Sequence, residues 1–354
     1  MEQVAFIGRD SIDHFVPILA ECKAKHVFLV RGKRSYTACG AEKIIRKSLA
    51  KIGATLTEFY DFSENPKCED MEIGIELLRS CGADTIVAVG GGSVLDMAKL
   101  IRFFSSYTGD VIEKSFEKTG ELLPLIAMPT TAGTGAEATH FSVVYKDKVK
   151  YSVAHDDMLP EYAIIYPPFT YDNPKYLTAC TGFDALAQSI EAFWNLNATE
   201  ESDIYAEKAI GLLWTNLPDV VNNPNEEIRD KVAEGAYWAG RAINITKTTA
   251  PHAFSYPFTT YYGYPHGHAV ALTFPFFMEL NCGDKNPDVG RIHKLLSILG
   301  FDIASDLKEK MLDYVLLLGL QPLSKLDFDV HFIMSHVNVE RLSNNPVPVN
   351  NIDF

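Results

Sequence analysis

The sequence predicts an α/β domain built on a parallel sheet over residues 1–170, followed by an all-α domain over residues 171–354. Three observations predict this. Short β-rich runs alternate with helical patterns in the first half, a signature of parallel strands joined by crossover helices. A proline-rich break, YPPFTYDNP, interrupts the chain at 166–174. Helical patterns dominate after it.

In order, HVFLV at 26–30 reads as a strand and 40–52 as a helix. ATLTEFY at 54–60 is the next strand, and 69–81 the next helix. DTIVAVGGGS at 84–93 is a strand running into glycines, VLDMAKLIRFF a helix and LPLIAMPTT a strand. Past the break, helices are expected at 182–194, 200–217 and 226–243, with further segments beyond Gly267. Open sheets of this kind take ligands at the carboxyl ends of their strands.

Bulk properties narrow the function. With 354 residues, 47% hydrophobic and 22% charged, the chain has the composition of a soluble globular protein. A formal charge of −14 argues against nucleic acid as a partner. No apolar run reaches the length of a membrane span. The opening MEQVAFIGRDSIDHF lacks the apolar region of a signal peptide. Six cysteines without a CxxC pair fit reduced thiols, so a cytoplasmic protein is expected.

Two loops and one helix carry the chemistry. Gly90, Gly91 and Gly92 lie between a strand and a helix, where glycines let the backbone approach a diphosphate and the helix dipole favours it. A plain tight turn accounts for three glycines equally well, and the spacing is neither GxGxxG nor a P-loop. MPTTAGTGAEAT, at a second strand end, adds the hydroxyls of Thr130, Thr131 and Thr134. In GFDALAQSIEAF, Asp184 and Gln188 are four apart and leave one helix face. With His252 and His266 they offer carboxylate, amide and imidazole, a donor set suited to a divalent ion, although spacing alone does not settle the ligands. His14, His26, His140, His155, His293, His331 and His336 are read as structural, and His268 as a candidate neighbour of the ligand set.

GGGSVLDMAK, PTTAGTGAEAT, GFDALAQSIEAF and PHAFSYP…YPHGHAVAL occur here in the order found in the iron-containing (group III) alcohol dehydrogenases, which the chain resembles over nearly its whole length. The late NNPVPVNNIDF also resembles the family's ending. The resemblance implies a dehydroquinate synthase-like fold: an N-terminal dinucleotide-binding α/β domain, a helical metal-binding and catalytic domain, and a divalent metal in the cleft between them. It implies hydride transfer between NAD(P)H and a small aldehyde or alcohol. Carried over, the metal ligands fall on Asp184, Gln188, His252 and His266, and the metal on Fe(II) or Zn(II). Cofactor contacts fall on Gly91, Gly92, Ser93, Asp96, Thr130, Thr131 and Thr134, and by looser matches on Asn65 and Lys150. Family members are often dimers, and a homodimer is compatible with that habit.

Three departures stand out. Gln188 replaces a histidine; its carbonyl oxygen is a harder and weaker ligand, or it leaves the shell and only bonds a neighbour. Tyr256 replaces a histidine that relays a proton; Tyr256, His268 or water then supplies the proton, or Tyr256 is packing. Gly32 stands where NAD-specific members carry an aspartate, among Arg31, Lys33, Arg34 and Ser35. That exchange favours NADP(H) over NAD(H), unless these cations are only a solvated loop. Within the family, DALAQSIEAFWNLNAT and PHAFSYPFTTYYGYPHGHAVALT look most like the phosphonoacetaldehyde reductase (hydroxyethylphosphonate dehydrogenase) branch, with Arg241 and Lys247 as candidate cations for an anionic substrate. The alternatives are a general short-chain alcohol or aldehyde dehydrogenase, a lyase related to dehydroquinate synthase, and a non-catalytic relative with a weakened metal site.

Overall fold

The computed structural model describes residues 3–147, 149–302 and 306–349. The chain divides into two compact units, Met1–Thr131 with Ala136–Asp172, and Ala132–Gly135 with Asn173–Phe354.

The first unit contains strands β1 (Val4–Ile7), β2 (His26–Arg31), β3 (Thr55–Phe59), β4 (Thr85–Gly90), β5 (Tyr107–Asp110), β6 (Ser115–Lys118), β7 (Leu125–Pro129), β8 (Phe141–Lys146), β9 (Val149–Ala154) and β10 (Tyr162–Ile165). Its helices are α1 (Phe15–Glu21), α2 (Ser35–Ala38), α3 (Ala41–Ile52), α4 (Cys68–Cys81) and α5 (Gly92–Ser106). Six strands form one parallel sheet in the order β1-β10-β7-β4-β2-β3. Side chains alternate across it, so neighbours in one strand enter different cores. Val27, Leu29, Val87 and Val89 pack with Phe15, Leu19, Ile45 and Leu49 from α1 and α3. Phe28, Val30, Ile86 and Ala88 pack with Met71, Ile75, Leu95 and Ile101 from α4 and α5. Helices on both faces explain why TIVAVG of β4 is buried at all six positions and reads as an unbroken apolar run. Gly90 of β4 pairs with Pro129 of β7, which sets the glycine loop and the threonine loop side by side at the carboxyl end of the sheet.

The second unit is helical: α6 (Lys175–Trp194), α7 (Glu200–Asn222), α8 (Glu226–Thr246), α9 (Ala250–Tyr262), α10 (His266–Cys282), α11 (Val289–Leu299), α12 (Leu307–Leu317), α13 (Val330–Ser335) and α14 (Val339–Leu342). The central helix is α6, buried at every position from Gly182 through its C-cap, Asn195. Helix ends follow the local chemistry. Thr199 and Ser202 form a reciprocal capping box on α7, and the Asn225 side chain accepts from Ile228 N at α8. Gly263, at φ +73°, closes α9, a left-handed turn that glycine adopts without strain.

The expected strands β2, β3, β4 and β7 are present, whereas β1, β5, β6, β8, β9 and β10 were not foreseen. Helix α6 begins at Lys175 rather than at Gly182. Gly182 lies inside it for a packing reason: a Cβ there would stand 2.2 Å from Leu217 Cδ1 of α7. Of the NNPVPVNNIDF segment, Asn345 bonds Asn281, and the last five residues lie outside the described residues.

Candidate active site

In the second unit, three helices converge on one point. Asp184 and Gln188 sit on successive turns of α6, His252 in the first turn of α9, and His266 at the first position of α10. α10 comes this close because its second residue is glycine: a Cβ on Gly267 would lie 1.9 Å from the Cys180 carbonyl oxygen of α6. One ligand atom each of Asp184, His252 and His266 lies within 4.8 Å of those of the other two. His252 Nε2 is 3.2 Å from Asp184 Oδ1, and His266 Nε2 is 3.8 Å from the same oxygen. Asp184 and His252 are buried, while the His266 side chain is 30% exposed and marks the open side of the cluster.

Glu191, one turn beyond Gln188, completes the electrostatics. It is fully buried, and its Oε1 accepts a short hydrogen bond from His252 Nδ1. Burial by itself would lower the His252 pKa; the Glu191 and Asp184 carboxylates overcome this and hold it up at about 10.

Gln188 Nε2 donates to Asp184 Oδ2 at 3.3 Å and to the Thr134 carbonyl at 3.5 Å. Its Oε1 is buried and has no hydrogen-bond partner among the described residues. A carboxylate, two imidazoles and an otherwise unsatisfied amide oxygen are a donor set that suits a divalent ion.

In the first unit, α5 starts directly from the glycines. Gly91 is its N-cap and offers no side chain, so the first amides of the helix are not capped by one. Thr130 N donates to Gly90 O at 2.9 Å, and a Cβ on Gly91 would touch Thr131 Oγ1 at 3.4 Å. Asn65, at φ +60°, donates its N–H to Ser93 Oγ at 3.2 Å. Asn65, Gly91, Gly92, Ser93, Thr130 and Thr131 thus share one corner, with the uncapped helix end that suits a diphosphate. Asp96 faces the neighbouring hairpin: Oδ2 accepts from Val143 N at 3.1 Å, and Lys99 lies 3.5 Å away. Lys150 sits on that hairpin opposite Tyr145.

The sequence matches the model of the iron-containing alcohol dehydrogenases over residues 3–167 and that family's C-terminal model over 178–324. Long-chain-alcohol dehydrogenase 1 of Geobacillus thermodenitrificans is 32% identical over 283 residues, 78% of this chain and 71% of that one. This chain belongs to the iron-containing alcohol dehydrogenase family. Sulfoacetaldehyde reductase from Bifidobacterium kashiwanohense, solved with NAD+, superposes with a TM-score of 0.89 at 31% identity, covering 98% of this chain and 94% of that one. An iron-containing alcohol dehydrogenase from Thermotoga maritima gives 0.84 at 28% identity, covering 99% and 95%.

As an iron-containing alcohol dehydrogenase, the chain is an oxidoreductase of small alcohols and aldehydes that works with a divalent metal and NAD(P). No helix among its described residues is long and apolar enough to cross a membrane.

Other expected residues fall in different places. His268 is buried, and both its ring nitrogens are occupied, by Tyr176 OH at 2.8 Å and by the Gln321 backbone at 3.0 Å; burial lowers its pKa. These contacts are with Tyr176 and the Gln321 backbone rather than with Asp184, His252 or His266. Tyr256 is half-buried on α9, its ring centroid 6.2 Å from that of His266. Arg31 is taken up by Glu58 at 2.7 Å and by the Tyr60 ring, and Lys33 by Asp61 at 3.0 Å. A Cβ on Gly32 would meet only the exposed Ser35 hydroxyl, which can swing aside. Arg241 bonds the phenols of Tyr205 and Tyr237, and Lys247 pairs with Glu340. Glu191 was not anticipated, although its signal was legible. Asp184, Gln188 and Glu191 are polar at i, i+4 and i+7 of a mostly apolar stretch of helix.

Proposed function

We propose that this enzyme reduces phosphonoacetaldehyde to 2-hydroxyethylphosphonate with NADPH, using Fe(II) or Zn(II) held by Asp184, His252, His266 and the amide oxygen of Gln188. The observation that carries the substrate class is the likeness to sulfoacetaldehyde reductase across 98% of the chain. Its named substrate is likewise a two-carbon aldehyde bearing an anionic oxyacid group. The motif similarity to phosphonoacetaldehyde reductases selects the phosphonate.

When bound, the ion supplies Lewis acidity at the carbonyl oxygen and the reduced nicotinamide supplies the hydride. The chain does the rest. Asp184 and His252, buried and mutually hydrogen-bonded, form the fixed wall of the site, and His266 its partly exposed rim. Tyr256, one turn after His252, provides the proton for the product oxygen. Gly91, Gly92, Ser93, Thr130 and Thr131 hold the cofactor diphosphate, with Asn65 toward the adenosine and Asp96, Thr134 and Lys150 completing the cofactor surround. Gly32 leaves no acid to repel a 2′-phosphate. With Arg31 and Lys33 already paired, exposed Arg34 is the cation available to it.

The test is consumption of NADPH or NADH by metal-loaded enzyme with phosphonoacetaldehyde, sulfoacetaldehyde or propanal. Phosphonoacetaldehyde with NADPH should give the highest kcat/KM. Preference for the sulfonate would reassign the substrate, and preference for NADH would overturn the cofactor choice. Equal use of propanal would make the enzyme a general aldehyde reductase, and no turnover at all would support the non-catalytic alternative.

A further inference from the structure

Glu191 is a fully buried carboxylate in an apolar helix, a position that is costly unless every lone pair has a partner. Its partners come from one short stretch of α9. Oε2 accepts from Thr249 N and from Thr249 Oγ1, each at 2.7 Å, and Oε1 accepts from His252 Nδ1. Thr249 is the N-cap of α9 but makes no side-chain cap bond of its own. Its hydroxyl donates to Glu191 while accepting from Trp194 Nε1 at 3.0 Å. One carboxylate therefore satisfies the start of α9, where negative charge is favoured, and at the same time grips the histidine three residues further on.

The second grip has a chemical consequence. An imidazole can offer a metal only the nitrogen that does not carry its proton. With Nδ1–H committed to Glu191, the nitrogen left for an ion is Nε2, the one that faces Asp184 Oδ1. We propose that Glu191 is a positioning residue of the metal site: it fixes the tautomer and ring orientation of His252 so that Nε2 is the binding atom, and so strengthens metal binding. The inference rests on the metal-dependent reading given above.

A purely structural cap would show the same contacts to Thr249, so the test separates the two grips. Glu191→Gln keeps the shape but places an NH2 against existing donors, whereas Thr249→Val removes the hydroxyl bonds and leaves Oε1 on His252. Chelator-stripped wild type and both variants are titrated with Co(II), reading affinity by equilibrium dialysis and coordination by the visible absorption bands. Glu191→Gln should bind about 10–100-fold more weakly, with altered bands, as expected for loss of a carboxylate behind a ligating histidine. Thr249→Val should melt at a lower temperature but keep wild-type affinity and bands. Unchanged affinity in Glu191→Gln, or equal weakening in both variants, overturns the inference and leaves the dehydrogenase reading intact. A wild type that binds no divalent ion overturns both. Should Glu191→Gln fail to fold, ¹⁵N spectra of Zn(II)-loaded wild type decide the matter: His252 must show a protonated Nδ1 and a metal-bound Nε2, and the reverse arrangement refutes the proposal.

Discussion

At the scale of the residue, the proposed metal site turns on Gln188. The two acceptors around Nε2, Asp184 Oδ2 and the Thr134 carbonyl, fix which end of the amide is nitrogen. That leaves Oε1 as a buried acceptor without a partner among the described residues, a condition costing about 1–3 kcal/mol that an ion would relieve. An amide oxygen is a weaker donor than imidazole to Fe(II) or Zn(II). Gln188→His should therefore tighten Zn(II) binding by about tenfold or more, and Gln188→Leu should weaken it, both measured by dialysis of stripped protein. A Gln188→Leu variant with wild-type affinity would place the amide outside the shell. At this scale the ordered family motifs carried the reading, because spacing alone does not single out ligands. The resemblance picked out Asp184, His252 and His266, and the fold brings one ligand atom of each within 4.8 Å of the others. His268 was singled out because it lies two residues from His266, whereas its observed partners, Tyr176 and the backbone of Gln321, are 92 and 53 residues away and no local pattern reveals them.

At the scale of the element, the site depends on how closely two helices pass. α10 crosses α6 where Gly267 meets the Cys180 carbonyl, and this contact sets His266 against Asp184. Gly267→Ala would force a methyl group into a backbone oxygen that cannot swing away. The expected cost is about 3 kcal/mol, the upper part of the usual range for overpacking, together with a lowered midpoint in urea and fewer ions bound per chain. A variant with wild-type midpoint and stoichiometry would mean that the helices have room to separate. The elements legible in the sequence share a property. β2, β4 and β7 are apolar enough to read as strands because both sheet faces are covered. β1 and β10, of four residues each, are too short to show a period, and the β8–β9 hairpin is only partly buried. The start of α6 was misplaced because Gly182 resembles a helix boundary, whereas its absent side chain is what admits Leu217 of α7.

At the scale of the whole molecule, the formal charge of −14 means that acidic groups dominate the response to pH, and one of them opposes the rest. Glu137 is buried next to the sheet unit's buried Lys99, whose Nζ donates to the carbonyls of Ala136, Thr139 and Phe141. Burial raises the Glu137 carboxyl to about 7, and a hydrogen bond from its own backbone and the Lys99 charge only partly offset this. An acid whose pKa is higher in the folded state than in the unfolded chain keeps a proton that the unfolded chain has already lost. Between the ordinary value of 4.5 and about 7, each rise in pH therefore favours unfolding, and the penalty is complete above pH 7. Glu137→Gln has nearly the shape of the protonated acid and no charge to ionise. At pH 5 it should be more stable than the wild type by only about 1 kcal/mol, and at pH 8 by about 3 kcal/mol, from about 1.4 kcal/mol per pKa unit. Urea unfolding of both proteins at the two pH values measures this difference. A gap that does not widen between pH 5 and pH 8 would mean that the Glu137 carboxylate reaches water or a cation once ionised.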